Sequence, residues 1–154
     1  LYRHHGNWNL IILGEGVLDN ELKSRARELH IENAVFFAGR VKNPFSIMSR
    51  CDLFVLSSRY ERFLNALLEA MACGLPVVSF DCPTGPRQLV QHEINGLLVP
   101  PEDKYELEKA LKSLMEKKEL RERMGKKAKY VSKQYALNKI MAQWERLAFG
   151  GIRR

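Results

Sequence analysis

Five short apolar runs, each closed by turn residues and separated by a stretch of helical period, limit what this chain can fold into. They are Asn9 to Leu13 (NLIIL), Ala34 to Ala38 (AVFFA), Leu53 to Leu56 (LFVL), Pro76 to Phe80 (PVVSF) and Leu97 to Val99 (LLV). Continuous apolar runs of this length, rich in β-branched and aromatic residues, read as strands buried on both faces. Helix signals fill the gaps. Asp19 and Glu21 precede Lys23, Arg25 and Arg27, the charge order that suits a helix dipole. Pro44 to Arg50 reads as a short helix, Asn65 can cap a helix that Gly74 ends, and Thr84 can cap one running through Val90. The alternation predicts an α/β fold, a parallel sheet with helices on both faces and right-handed crossovers.

From Asp103 onward the pattern is wholly helical. Leu107, Ala110, Leu111 and Leu114 recur at helical spacing, as do Leu120, Met124, Ala128 and Val131. Residues 1–154 are therefore expected as one domain whose segment 103–154 is a helical C-terminal portion. Trp144 and Leu147 end a last helix; plain core is the commoner role for such residues, and a face toward a missing half is the alternative.

With 45% hydrophobic and 28% charged residues the chain has a globular composition. No run reaches the roughly 18 apolar residues of a membrane span. Three cysteines, Cys51, Cys73 and Cys82, stand beside apolar sequence and are expected as reduced core thiols of a cytoplasmic protein. His4 and His5 lack a partner one helical turn away and read as a surface pair rather than metal ligands, so no metal site is expected. The net charge of +7 is uneven. Residues from Lys104 onward carry 15 basic and 6 acidic side chains, against 10 and 12 before them. That bias suggests an anionic surface partner, membrane or nucleic acid, the latter disfavoured because the charges lie on helices between apolar core positions with few interleaved aromatics. A plain solvated helix face is the commoner role for such charges.

Chemistry-bearing residues gather in Ser57 to Gly74, SSRYERFLNALLEAMACG. A strand, a polar loop and a helix N-terminus in that order make an anion site, because the first helical N–H groups are unpaired. Glu61 lies in the loop beyond the strand's carboxyl end, where open α/β sheets place ligands. Glu69 lies one turn into the helix, four residues from Asn65 and on the same face. Two carboxylates flanking a phosphate position suit a sugar nucleotide; on spacing alone a Glu serving as dipole partner fits equally well. Gly14-Glu15-Gly16 could bring backbone near a phosphate at Gly14, but Asp19 and Val35 depart from the dinucleotide fingerprint, so nicotinamide chemistry is disfavoured.

The run ERFLNALLEAMACGLPVVSFDCPTGPRQLV, followed by NGLLVP, resembles the retaining group 1 glycosyltransferases of the glycogen-synthase-like superfamily, in the C-terminal donor-binding domain of the GT-B fold. The resemblance spans about Asn9 to Trp144 and implies a Rossmann-like sheet whose front strand is missing here. It implies that Glu61, the candidate catalytic residue, touches the donor sugar, and that Glu69 holds the nucleotide ribose. It brings the backbone of Phe63, Leu64 and Asn65 to the diphosphate and sugar, and that of Val41 and Lys42 to the base, while the Arg62 guanidinium is a candidate phosphate contact by its own chemistry. Arg62 and Leu64 stand where the family has Gly and Pro. The implied activity is hexosyl or N-acetylhexosaminyl transfer from a nucleotide sugar, a UDP-sugar by the look of FDCPTGPRQLV, into cell-surface or lipid-linked glycans. The family needs no bound metal or other cofactor, and its acceptor-binding N-terminal domain is a further partner. The chain is thus expected to be inactive alone, cytoplasmic, and peripheral on the inner membrane face. A non-catalytic nucleotide-sugar-binding or regulatory module is the alternative.

Overall fold

The computed structural model describes residues 1, 5–61, 64–83 and 85–149. All five apolar runs form strands: β1 (Leu10–Leu13), β2 (Val35–Gly39), β3 (Phe54–Leu56), β4 (Val77–Phe80) and β5 (Gly96–Val99). Between and after them lie α1 (Asp19–Glu28), α2 (Pro44–Met48), α3 (Asn65–Ala72), α4 (Pro86–Leu89), α5 (Lys104–Glu116), α6 (Lys118–Gln134) and α7 (Leu137–Phe149). Every strand pairing is parallel, and the fold is α/β and Rossmann-like. The strands form two sheets rather than the single one expected, ordered β1-β2 and β3-β4-β5. The chain divides accordingly into two compact units, residues 1–47 and 48–154.

In the first unit β1 pairs with β2 from Leu10↔Val35 onward. α1 carries Asp19 and Glu21 in its first turn and Arg25 and Arg27 in its last, as the charge order predicts. β1 departs from the fully buried strand expected: Leu10 and Ile11 are 49% and 41% exposed. A two-stranded sheet has too few neighbours to bury both faces, so an apolar run can be strand without being core. Of the histidine pair, His4 lies outside the described residues and His5 is half-buried.

In the second unit β4 is central and wholly buried. Successive strand residues point to opposite faces, and β4 uses this to join two cores. Val77 packs with Leu67, Met71, Leu89, Val90, Ala128 and Val131. Val78 and Phe80 pack with Val99, Ala110, Leu114 and Met124. Helices therefore cover both faces, and α6 contributes to both clusters through residues at the spacing read from sequence. α5 starts after Asp103, whose carboxylate accepts from the N–H groups of Tyr105 and Glu106, each at 3.0 Å.

The turn before β5 is held by Asn95, which is only 4% exposed. Its Oδ1 accepts from the Gln91 N–H at 2.8 Å and its amide donates to the Leu89 carbonyl at 3.0 Å. Asn95→Leu fills similar volume but strands both backbone groups. The expected loss is about 2 kcal/mol in urea unfolding, and an unchanged midpoint would contradict this role.

Of the cysteines only Cys82 is core; Cys51 and Cys73 are half-buried, and none is in a disulfide. Burial, then Asp52, pushes the Cys51 thiol up. Burial, then Glu69 and Cys51, pushes Cys73 up against an opposing Lys129. Both are therefore poor nucleophiles at neutral pH. The last helix overturns the plain-core reading: α7 buries no residue, and Leu137, Trp144 and Leu147 are 76%, 64% and 78% exposed. Among the described residues no helix is long and apolar enough to cross a membrane.

Candidate functional site

The carboxyl edge of the β3-β4-β5 sheet is built by three loops. The first leaves β3 at Leu56 and reaches α3. Within it Arg59 pairs with Glu102, in the loop beyond β5, at 3.1 Å. Tyr60 is exposed, and Glu61 is half-buried. Arg62 and Phe63, expected at the donor, lie outside the described residues.

α3 begins one residue earlier than a cap at Asn65 would allow. Leu64 is the N-cap, and Asn65 is the first helical residue, with no side-chain capping bond at this end. Asn65 thus contributes a backbone N–H rather than a capping oxygen. Nor does an acidic side chain stand in the first turn. The positive end of α3 therefore keeps its orphan N–H groups without an anion among the described residues to meet them. Glu69, half-buried, lies a turn along. No hydrogen bond or ion pair with a described residue engages the carboxylate of Glu61 or Glu69. Gly74 lies just past the end of α3 with φ 82°, as a helix-terminating glycine should.

The second loop, from β4 to α4, packs on the first. α4 is entered from Gly85, its N-cap, with φ 114°, followed by Pro86. Thr84, the expected cap, lies outside the described residues. A Cβ at Gly85 would stand 2.8 Å from Leu64 Cδ1, so Leu64 is seated directly on this glycine. The same loop is tied back by Arg87, whose Nε donates to both carboxylate oxygens of Asp81 at 2.6 and 2.7 Å. A second guanidinium nitrogen also donates to this carboxylate, and the pair holds the Arg87 guanidinium charged.

Sequence reasoning missed these three ties: Arg59 to Glu102, Leu64 to Gly85 and Arg87 to Asp81. The adjacent Gly85-Pro86 was the one available signal, since that pair marks a backbone held in a special geometry.

Gly14, Val41 and Lys42 belong to the first unit. The Gly14 N–H donates to the Gly39 carbonyl at 2.9 Å, which sets the turn after β1 beside the exit of β2. That N–H is spent inside the protein, so Gly14 can offer a ligand only its carbonyl or its Cα. Val41 is half-buried and Lys42 exposed in the loop that leaves β2.

Known proteins share this sequence and this fold. Residues 1–131 fit the model of glycosyl transferases group 1. The chain belongs to this family. It is 34% identical over 145 residues to an uncharacterized glycosyltransferase of Haemophilus influenzae, covering 94% of this chain and 41% of that one. It is 37% identical over 131 residues to the N-acetylgalactosamine-N,N'-diacetylbacillosaminyl-diphospho-undecaprenol 4-alpha-N-acetylgalactosaminyltransferase of Campylobacter jejuni, covering 85% and 36%. Among solved structures it matches HepE of Anabaena in complex with UDP-glucose, with a TM-score of 0.81, 30% identity and coverage of 91% and 40%. The chain spans about two fifths of the length of each.

Proposed function

We propose that this glycosyltransferase chain is the donor-binding, C-terminal part of a larger two-domain retaining enzyme. It takes a UDP-sugar and supports hexosyl or N-acetylhexosaminyl transfer into cell-surface or lipid-linked glycans. One observation carries the reading: α3 starts without a side-chain cap, after Glu61 and ahead of Glu69 in the chain, and neither half-buried carboxylate forms a hydrogen bond or ion pair with a described residue. The diphosphate would meet the α3 N–H groups, Glu69 would accept from the ribose hydroxyls, and Glu61 from the sugar hydroxyls. During transfer the acceptor hydroxyl oxygen bonds to the anomeric carbon, the bond from that carbon to the diphosphate breaks, and charge grows on the leaving oxygen, which takes up the hydroxyl proton. A fixed helix dipole stabilises that charge without reorganising. HepE, with its bound UDP-glucose, supports the donor class, and the lipid diphosphate named for the Campylobacter relative supports the acceptor class.

The rest of a longer polypeptide would supply the acceptor domain. The exposed apolar stripe of α7, with Leu137, Met141, Trp144 and Leu147 at helical spacing, fits burial against such a neighbour.

The sugar contact is tested by calorimetry of the chain with UDP-glucose, UDP-N-acetylgalactosamine and UDP. Glu61→Ala should weaken the preferred sugar nucleotide at least tenfold and leave UDP unchanged, as expected for about 1.5 to 3 kcal/mol from a charge-assisted hydrogen bond. Equal weakening of both would remove Glu61 from the sugar.

A further inference from the structure

α6 presents a face that the proposed reaction does not use. Between Glu122 and Glu145 the chain holds six basic residues and no acidic one. Met124, Gly125, Ala128 and Val131 turn inward. Arg123, Lys126, Lys127, Tyr130 and Lys133 are all exposed, at helical spacings that make one stripe along the solvent side of the helix. The stripe is not neutralised from within. Nearer the start of α6, Lys118 pairs with Glu122 at 3.8 Å, and Arg121 donates to the Leu114 carbonyl at 2.6 Å. Lys126, Lys127 and Lys133, by contrast, form no ion pair with a described residue. Lys133 instead lies 4.9 Å from the ring centroid of Tyr130, which is 60% exposed.

We propose that this stripe on α6 is a docking surface for the anionic headgroups of a phospholipid membrane. Charge complementarity carries the assignment. Lysines in a straight row suit a flat surface of diffuse negative charge, to which each contributes through its field rather than through a shaped pocket. Sequence-specific reading of a duplex is disfavoured, since base edges are read by Arg, Asn and Gln forks, and so is a single strand, whose bases stack on aromatic rings. This stripe has one Arg, and its one aromatic ring is already attended by Lys133. The surface would hold a membrane-borne acceptor within reach, but it stands on α6 alone and does not depend on the donor assignment.

The test is co-sedimentation of the 154-residue chain with phosphatidylcholine vesicles, with and without a third of phosphatidylglycerol. A duplex DNA competitor is added at matched charge. Binding is expected only to the anionic vesicles, falling steeply with added salt. The triple variant Lys126→Gln, Lys127→Gln, Lys133→Gln should bind roughly a hundredfold more weakly, from a contribution of about 1 kcal/mol per lysine. The triple Lys→Arg variant should retain binding, which separates charge from folding; circular dichroism checks that both fold. Equal binding to neutral vesicles, wild-type binding by the Gln variant, or displacement by DNA would each overturn the proposal.

Discussion

Gly125→Ala is expected to cost at least about 3 kcal/mol, the upper range for overpacking a filled core. Gly125 lies inside α6, where Ala would ordinarily be favoured by about 1 kcal/mol over Gly. Packing reverses the sign. A Cβ at Gly125 would stand 2.2 Å from the Gly74 carbonyl oxygen and 3.4 Å from both the Gly74 carbonyl carbon and Pro76 Cδ. The obstacle is backbone, so no side chain can rotate away. α6 would have to move off α3, taking with it Met124 from one core cluster and Ala128 and Val131 from the other. A domain with ordinary stability of about 5 to 15 kcal/mol would lose a large share of it. Urea unfolding should show a lower midpoint at unchanged slope. Gly16→Ala is the control: nothing lies within 4 Å of its added Cβ, so stability should barely change. Wild-type stability of Gly125→Ala would mean that α3 and α6 are not packed as described.

The strands and most of the helical core are legible in the sequence because each depends on local period, and parallel pairing is legible from the alternation of strands with helices. Val77 and Val78 announce a buried strand, and Met124, Ala128 and Val131 announce one face of a helix. Period tells which residues are apolar but not what covers them. Leu10 and Ile11 in β1 and Trp144 in α7 therefore read as core, yet stand exposed. The same gap hides the division into two sheets, which depends on long-range pairing. At the candidate site, Glu61, Asn65 and Glu69 can be placed from the order strand, loop, helix. The cap cannot: Asn65 has capping chemistry, but the helix starts at it rather than after it. Nor can contacts between loops, such as Leu64 on Gly85, because residues so far apart in sequence leave no periodic trace.

Glu69→Ala is the second large effect expected. Its carboxylate, proposed to accept from both ribose hydroxyls, forms no hydrogen bond or ion pair with a described residue. Truncation should therefore spare the fold while removing two charge-assisted hydrogen bonds. At about 1.5 kcal/mol or more for each, the loss in nucleotide affinity is on the order of a hundredfold or greater. Asn65→Ala should have far less effect, since Asn65 offers the diphosphate only its backbone N–H, which Ala keeps.

The most direct measurement is calorimetric titration of UDP into the 154-residue chain and into Glu69→Ala, alongside urea unfolding of both. The account predicts saturable binding by the wild type, binding roughly a hundredfold weaker or more in the variant, and matching unfolding midpoints. Wild-type affinity for UDP in a folded Glu69→Ala variant would contradict it.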